Sequence, residues 1–297
     1  MRLVSFGAPG EERPGLLVEG GVLDLSSVDP AFGGTWRQLL AKGALEPLRE
    51  LTRSLADGRR GRVHPAGSVR LGPPIVDPGK IVCLGRNYRE HAAEQDREVP
   101  ERPLLFCKAS SALAGPADDI RIPPGITHVD YEAEMAFVIG RRGRDLTEAA
   151  ALDHVAGYMV LNDVTARKLQ KDEGQWFRGK SLDTFAPCGP ALVTADEVPD
   201  AHDLEITLLL NGEVRQSSST RFLVFGVPFL VAYLSRTMTL EPGDIVSTGT
   251  PGGVGVFSEP KVFLRDGDEV VTRIARLGEL RNGVRQGPFN RRSGTGA

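Results

Sequence analysis

The stretch "VDYEAEMAFVIG", residues 129–140, decides how the fold is interpreted. Its even-numbered positions begin with three acids, Asp130, Glu132 and Glu134, whereas its odd-numbered positions are apolar or aromatic. Because side chains of a strand alternate between two faces, the pattern predicts a β-strand. Acids are poor strand formers, and at an effective dielectric of about 20 ionised neighbours at this spacing repel by roughly 2 kcal/mol. The acids therefore indicate either a solvated face or a cation site.

The composition is that of a globular protein and excludes several classes. The 297 residues are 40% hydrophobic and 25% charged, with a net charge of −3 and no basic stripe, so we expect no nucleic-acid partner. The longest apolar run, residues 225–234, is far shorter than the roughly 20 residues of a membrane span. The start of the chain lacks an apolar signal core, which predicts a cytoplasmic protein. Three widely spaced cysteines without a CxxC pair exclude a cysteine zinc site.

The chain divides into two predicted parts. Residues 1–72 indicate a small N-terminal β-rich module, which ends at the proline-rich segment "LGPPIVDPGK". Residues 73–297 alternate short strands with Gly/Pro turns, and "NGE" at 211–213 predicts a hairpin. Because few helices intervene, the predicted fold class is α+β and predominantly β. We expect the tail, residues 288–297, to be disordered.

A third acid stands where another apolar strand gives way to a predicted helix. In "YMVLNDVTARKLQ", residues 158–170, Asp163 is either the N-cap of that helix or an oxygen ligand beside Glu132 and Glu134. A ligand set made only of oxygens selects hard ions such as Mg²⁺, Mn²⁺ or Ca²⁺.

His91 and Glu94 are three residues apart in "LGRNYREHAAEQ", residues 84–95, where helical spacing lets them meet. A carboxylate beside an imidazole fixes its tautomer and raises its basicity, as a water-activating base requires. The alternative is an ordinary surface pair. The charged, proline-bearing segment after it, "DREVPERP", is typical of a mobile lid.

Four cations and a glycine-rich turn complete the candidates. If Arg86, Lys108, Arg167 and Lys180 converge, they can bind a carboxylate or an enolate oxygen; otherwise they are solvated surface charges. The turn "STGTPGGVG", residues 247–255, is either a backbone N–H nest for a carboxylate, helped by its threonine, or a plain tight turn.

The order of these motifs along the chain is more specific than any one of them. "GRNYREHAAE", "FCKASS", "DYEAEMAFVIG", "GYMVLNDVTARKLQ", "RGKSLDTFAPCGP", "LLLNGEVRQ" and "PGDIVSTGTPGGVG" together resemble the fumarylacetoacetate hydrolase family, over about residues 78–285. The resemblance implies a mixed β-roll or β-sandwich core with a central metal, in a homodimer. It implies metal ligands Glu132, Glu134 and Asp163; a catalytic dyad of His91 and Glu94; an enolate-stabilising Lys180; and substrate contacts Arg86, Lys108, Arg167, Gln170 and Thr250.

The resemblance also implies an activity. The first expectation is a metal-dependent hydrolase that cleaves the C–C bond of a 2,4-dioxo acid to give pyruvate and a carboxylic acid. The alternatives are an oxaloacetate decarboxylase or tautomerase, and an isomerase or hydratase of another 2-oxo acid. A non-catalytic module that binds keto acids is the remaining class, and His91 with Glu94 argues against it, because binding alone needs no base.

Overall fold

The computed structural model describes residues 1–56 and 61–287, and the side chains of 54–56 are not described. The tail predicted to be disordered, 288–297, lies outside the described residues. Within them the chain forms eighteen β-strands and seven α-helices. The strands are β1 Arg2–Phe6, β2 Arg13–Val18, β3 Gly21–Asp24, β4 Val63–Pro65, β5 Ile81–Gly85, β6 Leu104–Lys108, β7 Leu113–Ala114, β8 Ile120–Ile122, β9 Val129–Asp130, β10 Ala133–Ile139, β11 Val155–Asn162, β12 Thr165–Ala166, β13 Ala186–Thr194, β14 Glu205–Leu210, β15 Glu213–Ser219, β16 Ile245–Ser247, β17 Glu269–Ile274 and β18 Gly278–Gln286. The helices are α1 Trp36–Ala41, α2 Leu45–Ala56, α3 Arg89–Ala93, α4 Glu148–Ala151, α5 Arg167–Asp172, α6 Phe177–Lys180 and α7 Val227–Ser235.

The described strands form three sheets. The largest has the order β4-β3-β2-β1-β13-β11-β10-β16-β5-β6, with β7 beside β13. A five-stranded sheet has the order β15-β14-β17-β18-β8, and β9 pairs with β12. Most pairs are antiparallel; β5 with β16, β7 with β13 and β8 with β18 are parallel. The predicted fold class, α+β and predominantly β, is confirmed.

Strand β10 lies at the centre of the molecule, and both of its faces are buried. Met135 and Phe137 on one face pack in a hydrophobic cluster that includes residues of the five-stranded sheet, such as Ile206. Ala136 and Val138 on the other face pack in a second cluster. The alternation read from the sequence is therefore present, but the strand separates two cores instead of one core and solvent.

The prediction of one continuous strand over 129–140 was wrong at its N-terminal end. Strand β9 stops at Asp130 and β10 starts at Ala133. The backbone N–H of Tyr131 donates to the Asp130 carboxylate at 2.9 Å, and that of Glu132 donates to the Asn162 side chain at 3.0 Å. Because side chains take these two N–H groups, they are not available to a strand ladder.

The N-terminal strands extend the largest sheet. Strand β1 pairs with β13, with Leu3 opposite Leu192, and the Trp36 indole N–H donates to the Val4 carbonyl at 2.7 Å. Trp36 also packs in the same cluster as Val138 of β10. The division of the chain at residue 72 remains a prediction.

Two smaller expectations have clear outcomes. The predicted hairpin is confirmed, since Asn211 and Gly212, both with positive φ, join β14 to β15. The helix after Asp163 begins only at Arg167, and its N-cap is Ala166, so Asp163 does not cap it. No helix in the described ranges is long and apolar enough to cross a membrane.

Candidate active site

Three of the predicted acids meet at the end of two paired strands. Ligand oxygens of Glu132, Glu134 and Asp163 lie within 4.8 Å of one another, and all three residues are buried. Glu134 belongs to β10, Glu132 precedes it, and Asp163 follows β11, the antiparallel neighbour of β10. The Asp163 N–H donates to the Glu132 carbonyl at 2.8 Å, which fixes the two turns against each other.

Two buried lysines and the partly buried Arg167 contact this cluster. The Lys180 ammonium lies 2.6 Å from both Glu132 and Asp163, and the Lys108 ammonium lies 2.6 Å from the other oxygen of Asp163. Arg167 forms ion pairs with Glu132 at 2.7 Å and with Asp130 at 2.8 Å. With Asp130 included, the cluster holds one more carboxylate than cations.

The charges of this cluster are set by burial and by each other. Burial lowers the pKa of Lys180, but Asp163 and Glu132 outweigh it and hold that pKa above its ordinary value. Burial raises the pKa of Glu132, but Lys180 and Arg167 outweigh it and hold that pKa below its ordinary value. Burial, together with Asp163 and Glu132, raises the pKa of Glu134 well above its usual range.

Glu134 is held by one oxygen and presents the other. Its Oε2 accepts hydrogen bonds from the Ser247 hydroxyl at 2.5 Å and from the Gly249 N–H at 2.9 Å. Its Oε1 is buried and has no hydrogen-bond partner within the described part of the chain. A buried carboxyl oxygen without a partner, in a cluster with one more carboxyl group than cations, fits a hard divalent cation.

His91 is enclosed by polar partners on both ring nitrogens. It is 6% exposed, and its Nδ1 lies 2.6 Å from Oε1 of Glu94. The other Glu94 oxygen accepts the Gly253 N–H at 2.8 Å. The amide nitrogen of Gln95 lies 2.8 Å from His91 Nε2. Since an amide N–H can only donate, Nε2 is the acceptor here and Nδ1 carries the proton that faces the Glu94 carboxylate.

A cavity of about 640 Å³ joins the base to the acidic cluster. Its lining includes His91, Glu132 and Lys180. The predicted substrate contacts that line it are Arg86, Arg167, Gln170 and Thr250. Lys108 does not line it, because its ammonium is buried against Asp163 and the Val164 carbonyl. A direct contact from Lys108 to substrate therefore stays a prediction.

The cavity also contains residues that the sequence argument missed. Phe106 and Trp176 pack edge to face at 5.3 Å on its wall, and Gln95 lines it beside His91. The spacing of Gln95, four residues after His91 in a helical segment, was the signal available for it. Arg86 and His128, both on the cavity, adopt positive φ values of 54° and 58°, and such strain concentrates at functional sites.

The glycine-rich turn does bind carboxylates, but they belong to the protein. The N–H groups of Gly249, Gly253 and Gly255 donate to Glu134, Glu94 and Asp130, respectively. The predicted nest thus orients catalytic candidates instead of a substrate carboxylate. Thr250 of the same turn accepts a hydrogen bond from the Gln216 amide at 2.8 Å and lines the cavity.

The sequence model described as fumarylacetoacetate (FAA) hydrolase C-terminal matches residues 80–285. The chain belongs to the fumarylacetoacetate hydrolase family. It is 45% identical over 289 residues to the mitochondrial oxaloacetate tautomerase of Rattus norvegicus, covering 96% of this chain and 91% of that protein.

Solved structures of the family have the same fold. Fumarylacetoacetate hydrolase from Exiguobacterium antarcticum is 38% identical with a TM-score of 0.81, covering 96% of this chain and 99% of that one. Maleylpyruvate hydrolase from Sphingobium sp. SYK-6, in complex with manganese(II) and pyruvate, is 33% identical with a TM-score of 0.80, covering 97% and 100%.

Membership of the fumarylacetoacetate hydrolase family confirms the predicted fold type and shows that the protein is an enzyme. Its activity belongs to the hydrolase, isomerase and tautomerase range of that family. Its relatives act on small molecules, as expected. The cytoplasmic location, the homodimer and the roles of individual site residues stay predictions; the rat relative is named as mitochondrial.

Proposed function

We propose that this enzyme interconverts the keto and enol forms of a 2-oxo dicarboxylic acid of the oxaloacetate type. One observation carries the proposal: His91, held with its Nε2 as an acceptor, lines the same cavity as Glu132 and Lys180 of the buried cluster. The 45% identity to the rat oxaloacetate tautomerase supports this substrate class. Because of this identity, we propose tautomerisation, one of the alternatives expected from the sequence, in preference to C–C hydrolysis.

The proposal includes a divalent metal. Glu132, Glu134 and Asp163 would hold Mg²⁺ or Mn²⁺, with Ca²⁺ as a third candidate, since all their donors are oxygens. When bound there, the ion would polarise the 2-oxo group as a Lewis acid. The manganese in the Sphingobium enzyme supports this choice.

Cations of the cavity bind and orient the anionic substrate. Arg86 lines the cavity and has no ion-pair partner among the described residues, so its guanidinium is available for a carboxylate. Lys171 and Lys261 also line it, without a partner in that same part of the chain. Their charge favours substrates with a second carboxylate.

Proton transfer is assigned to His91. Its Nε2 accepts a proton from C3 of the substrate, and Glu94 on Nδ1 stabilises the imidazolium that forms. The electron pair of the C3–H bond becomes the enolate, whose oxygen lies next to the positive charge of Lys180. Transfer of that proton from the His91 imidazolium to the enolate oxygen completes the enol and restores the neutral imidazole, and the reverse sequence gives the keto form.

Hydrolysis of a 2,4-dioxo acid is the second candidate. The same dyad can deprotonate a water that attacks the 4-carbonyl, which releases a pyruvate enolate and a carboxylic acid. The Glu94 contact at 2.6 Å to His91 Nδ1 supports this reaction as well, because a water-activating base needs the same arrangement.

The test compares both reactions in one preparation. Metal-free protein is reloaded with Mg²⁺, Mn²⁺ or Ca²⁺; the decay of enol-oxaloacetate absorbance and pyruvate release from acylpyruvates are then measured. We expect metal-dependent enol decay, and a loss of ~10²–10⁴-fold in His91→Ala. His64→Ala, in strand β4, is the matched control and should keep the rate. Full activity in excess chelator, or in His91→Ala, would overturn the proposal.

A further inference from the structure

The Nε2 side of His91 is covered by one side chain. Gln95 donates to Nε2 across 2.8 Å and is its only hydrogen-bond partner among the described residues. The imidazole makes a T-shaped contact with Phe257, with 6.4 Å between ring centroids, and Nδ1 faces Glu94. The nitrogen that must accept a proton is therefore shielded by an amide before a substrate arrives.

The dyad does not depend on this amide for its orientation. Glu94 is fixed by the Gly253 N–H at 2.8 Å and holds the imidazole through Nδ1. His91 also lies in helix α3, whose Ala92 and Glu94 N–H groups bond within the helical segment. Removing the Gln95 amide should therefore leave His91 and Glu94 in place and change only the group that lies next to Nε2.

The position of the amide matters because the two candidate reactions place different groups there. Tautomerisation needs a substrate carbon next to Nε2, whereas hydrolysis needs a water that donates to Nε2 and reaches a carbonyl. An amide at 2.8 Å occupies the volume where such a water would bind. A 2-oxo acid that fills the cavity can displace the Gln95 side chain. A water that binds at Nε2 has to compete with both the Gln95 amide and the substrate.

We propose that Gln95 is a specificity-determining residue, which keeps water away from His91 Nε2 and directs the enzyme to tautomerisation over hydrolysis. The inference rests on the proposed function and adds the residue that selects between its two reactions. A glutamine suits this task because its amide donates to the neutral imidazole and, after rotation, its oxygen accepts from the imidazolium.

Two substitutions separate exclusion of water from hydrogen bonding. Gln95→Met removes the amide but keeps a side chain of similar length over Nε2, whereas Gln95→Ala opens that space. We expect Gln95→Ala to raise the ratio of acylpyruvate hydrolysis to enol decay by about tenfold, the factor that one hydrogen bond to a bound water supplies. Gln95→Met should leave the ratio near that of the wild type.

The matched control is Gln170→Ala, a second cavity glutamine, whose oxygen accepts from Arg167 at 3.2 Å. It should lower both rates by a similar factor. Thermal unfolding of each variant confirms that it is folded. If Gln95→Ala leaves the ratio unchanged while the wild type is active, Gln95 does not control specificity but the proposed function stands. If the wild type is inactive on every 2-oxo acid, the proposed function itself fails.

A second measurement does not depend on activity. Nitrogen NMR of histidine-labelled protein reports which ring nitrogen carries the proton, with His91→Ala to assign the signal. We expect His91 to be neutral with its proton on Nδ1, and its Nε2 signal to change in both Gln95→Ala and Gln95→Met. A proton on Nε2 in the wild type, or an Nε2 signal that neither substitution alters, would overturn the shielding by Gln95.

Discussion

Glu134 combines a fixed orientation with a free ligand atom. Ser247 and Gly249 hold one oxygen, and the other has no partner in the described ranges. We expect Glu134→Gln to retain the fold, because the shape is kept, and to lose Mn²⁺ affinity, because a charged ligand is lost. Ser247→Ala should weaken Mn²⁺ binding by ~10–100-fold, as removing a residue that orients a ligand does.

Calorimetric titration of metal-free protein with Mn²⁺ measures both effects. Glu241→Gln, an exposed residue paired with Arg142, is the control and should bind as the wild type does. An unchanged dissociation constant in Glu134→Gln would mean that the ion binds elsewhere.

At the scale of single residues, the sequence predicted the acids of the metal site but not all of the side chains that contact them. Alternation along a strand was enough to propose Glu132 and Glu134 for one site, because a spacing of two requires only local geometry. The contact of Lys180 with both Glu132 and Asp163 joins residues 48 and 17 positions apart, which only the folded chain can bring together. The role of Lys180 as an enolate-stabilising residue came from the family resemblance, whereas its contact with these two acids was not predicted.

Helix α3 and its C-cap Glu94 carry the dyad and are attached to the body by few polar contacts. Glu94 binds the Gly253 N–H, and Glu90 binds the Ser218 hydroxyl. Because these contacts join a short helix to a turn and a strand, we expect residues 88–102 to open readily and to be protected when a ligand fills the cavity.

Hydrogen exchange with and without oxalate, in the presence of Mg²⁺, measures this difference. Strand β10, buried on both faces, provides the internal control and should exchange slowly in both samples. Strong protection of 88–102 already in the free enzyme would show that the segment is not a lid.

Element boundaries were harder to predict than element types. The hairpin at Asn211 and Gly212 follows from local turn chemistry, and it was correct. The break between β9 and β10 depends on Asp130, whose carboxylate also accepts the N–H groups of Gly255 and Val256. These partners are 125 and 126 residues away, so no local pattern could reveal that the strand ends there.

At the scale of the whole molecule, the pairing of the N-terminal strands with the rest of the chain bears on the predicted division at residue 72. Residues 1–72 were predicted as a separate unit, and β1 pairs with β13 through Arg2 and Val193. This contact joins the N-terminal strands to the largest of the three sheets. Composition and periodicity cannot detect such a pairing, because each strand alone has the same pattern whichever partner it takes.

The structure predicts that residues 73–297 do not fold stably without residues 1–72. Removing the N-terminal segment would expose the edge of β13 and the apolar face of β10, where Ala136 and Val138 share a cluster with Trp36. An uncovered edge and core face favour aggregation.

In the full chain, Trp36→Ala should lower the free energy of unfolding by about 3–5 kcal/mol, whereas Val63→Ala, at an exposed position, should change it by less than about 0.5 kcal/mol. Denaturant unfolding of the variants, with gel filtration of the truncated chain, measures both. A truncated chain that unfolds cooperatively and keeps the enol-decay activity would establish 73–297 as an independent catalytic domain.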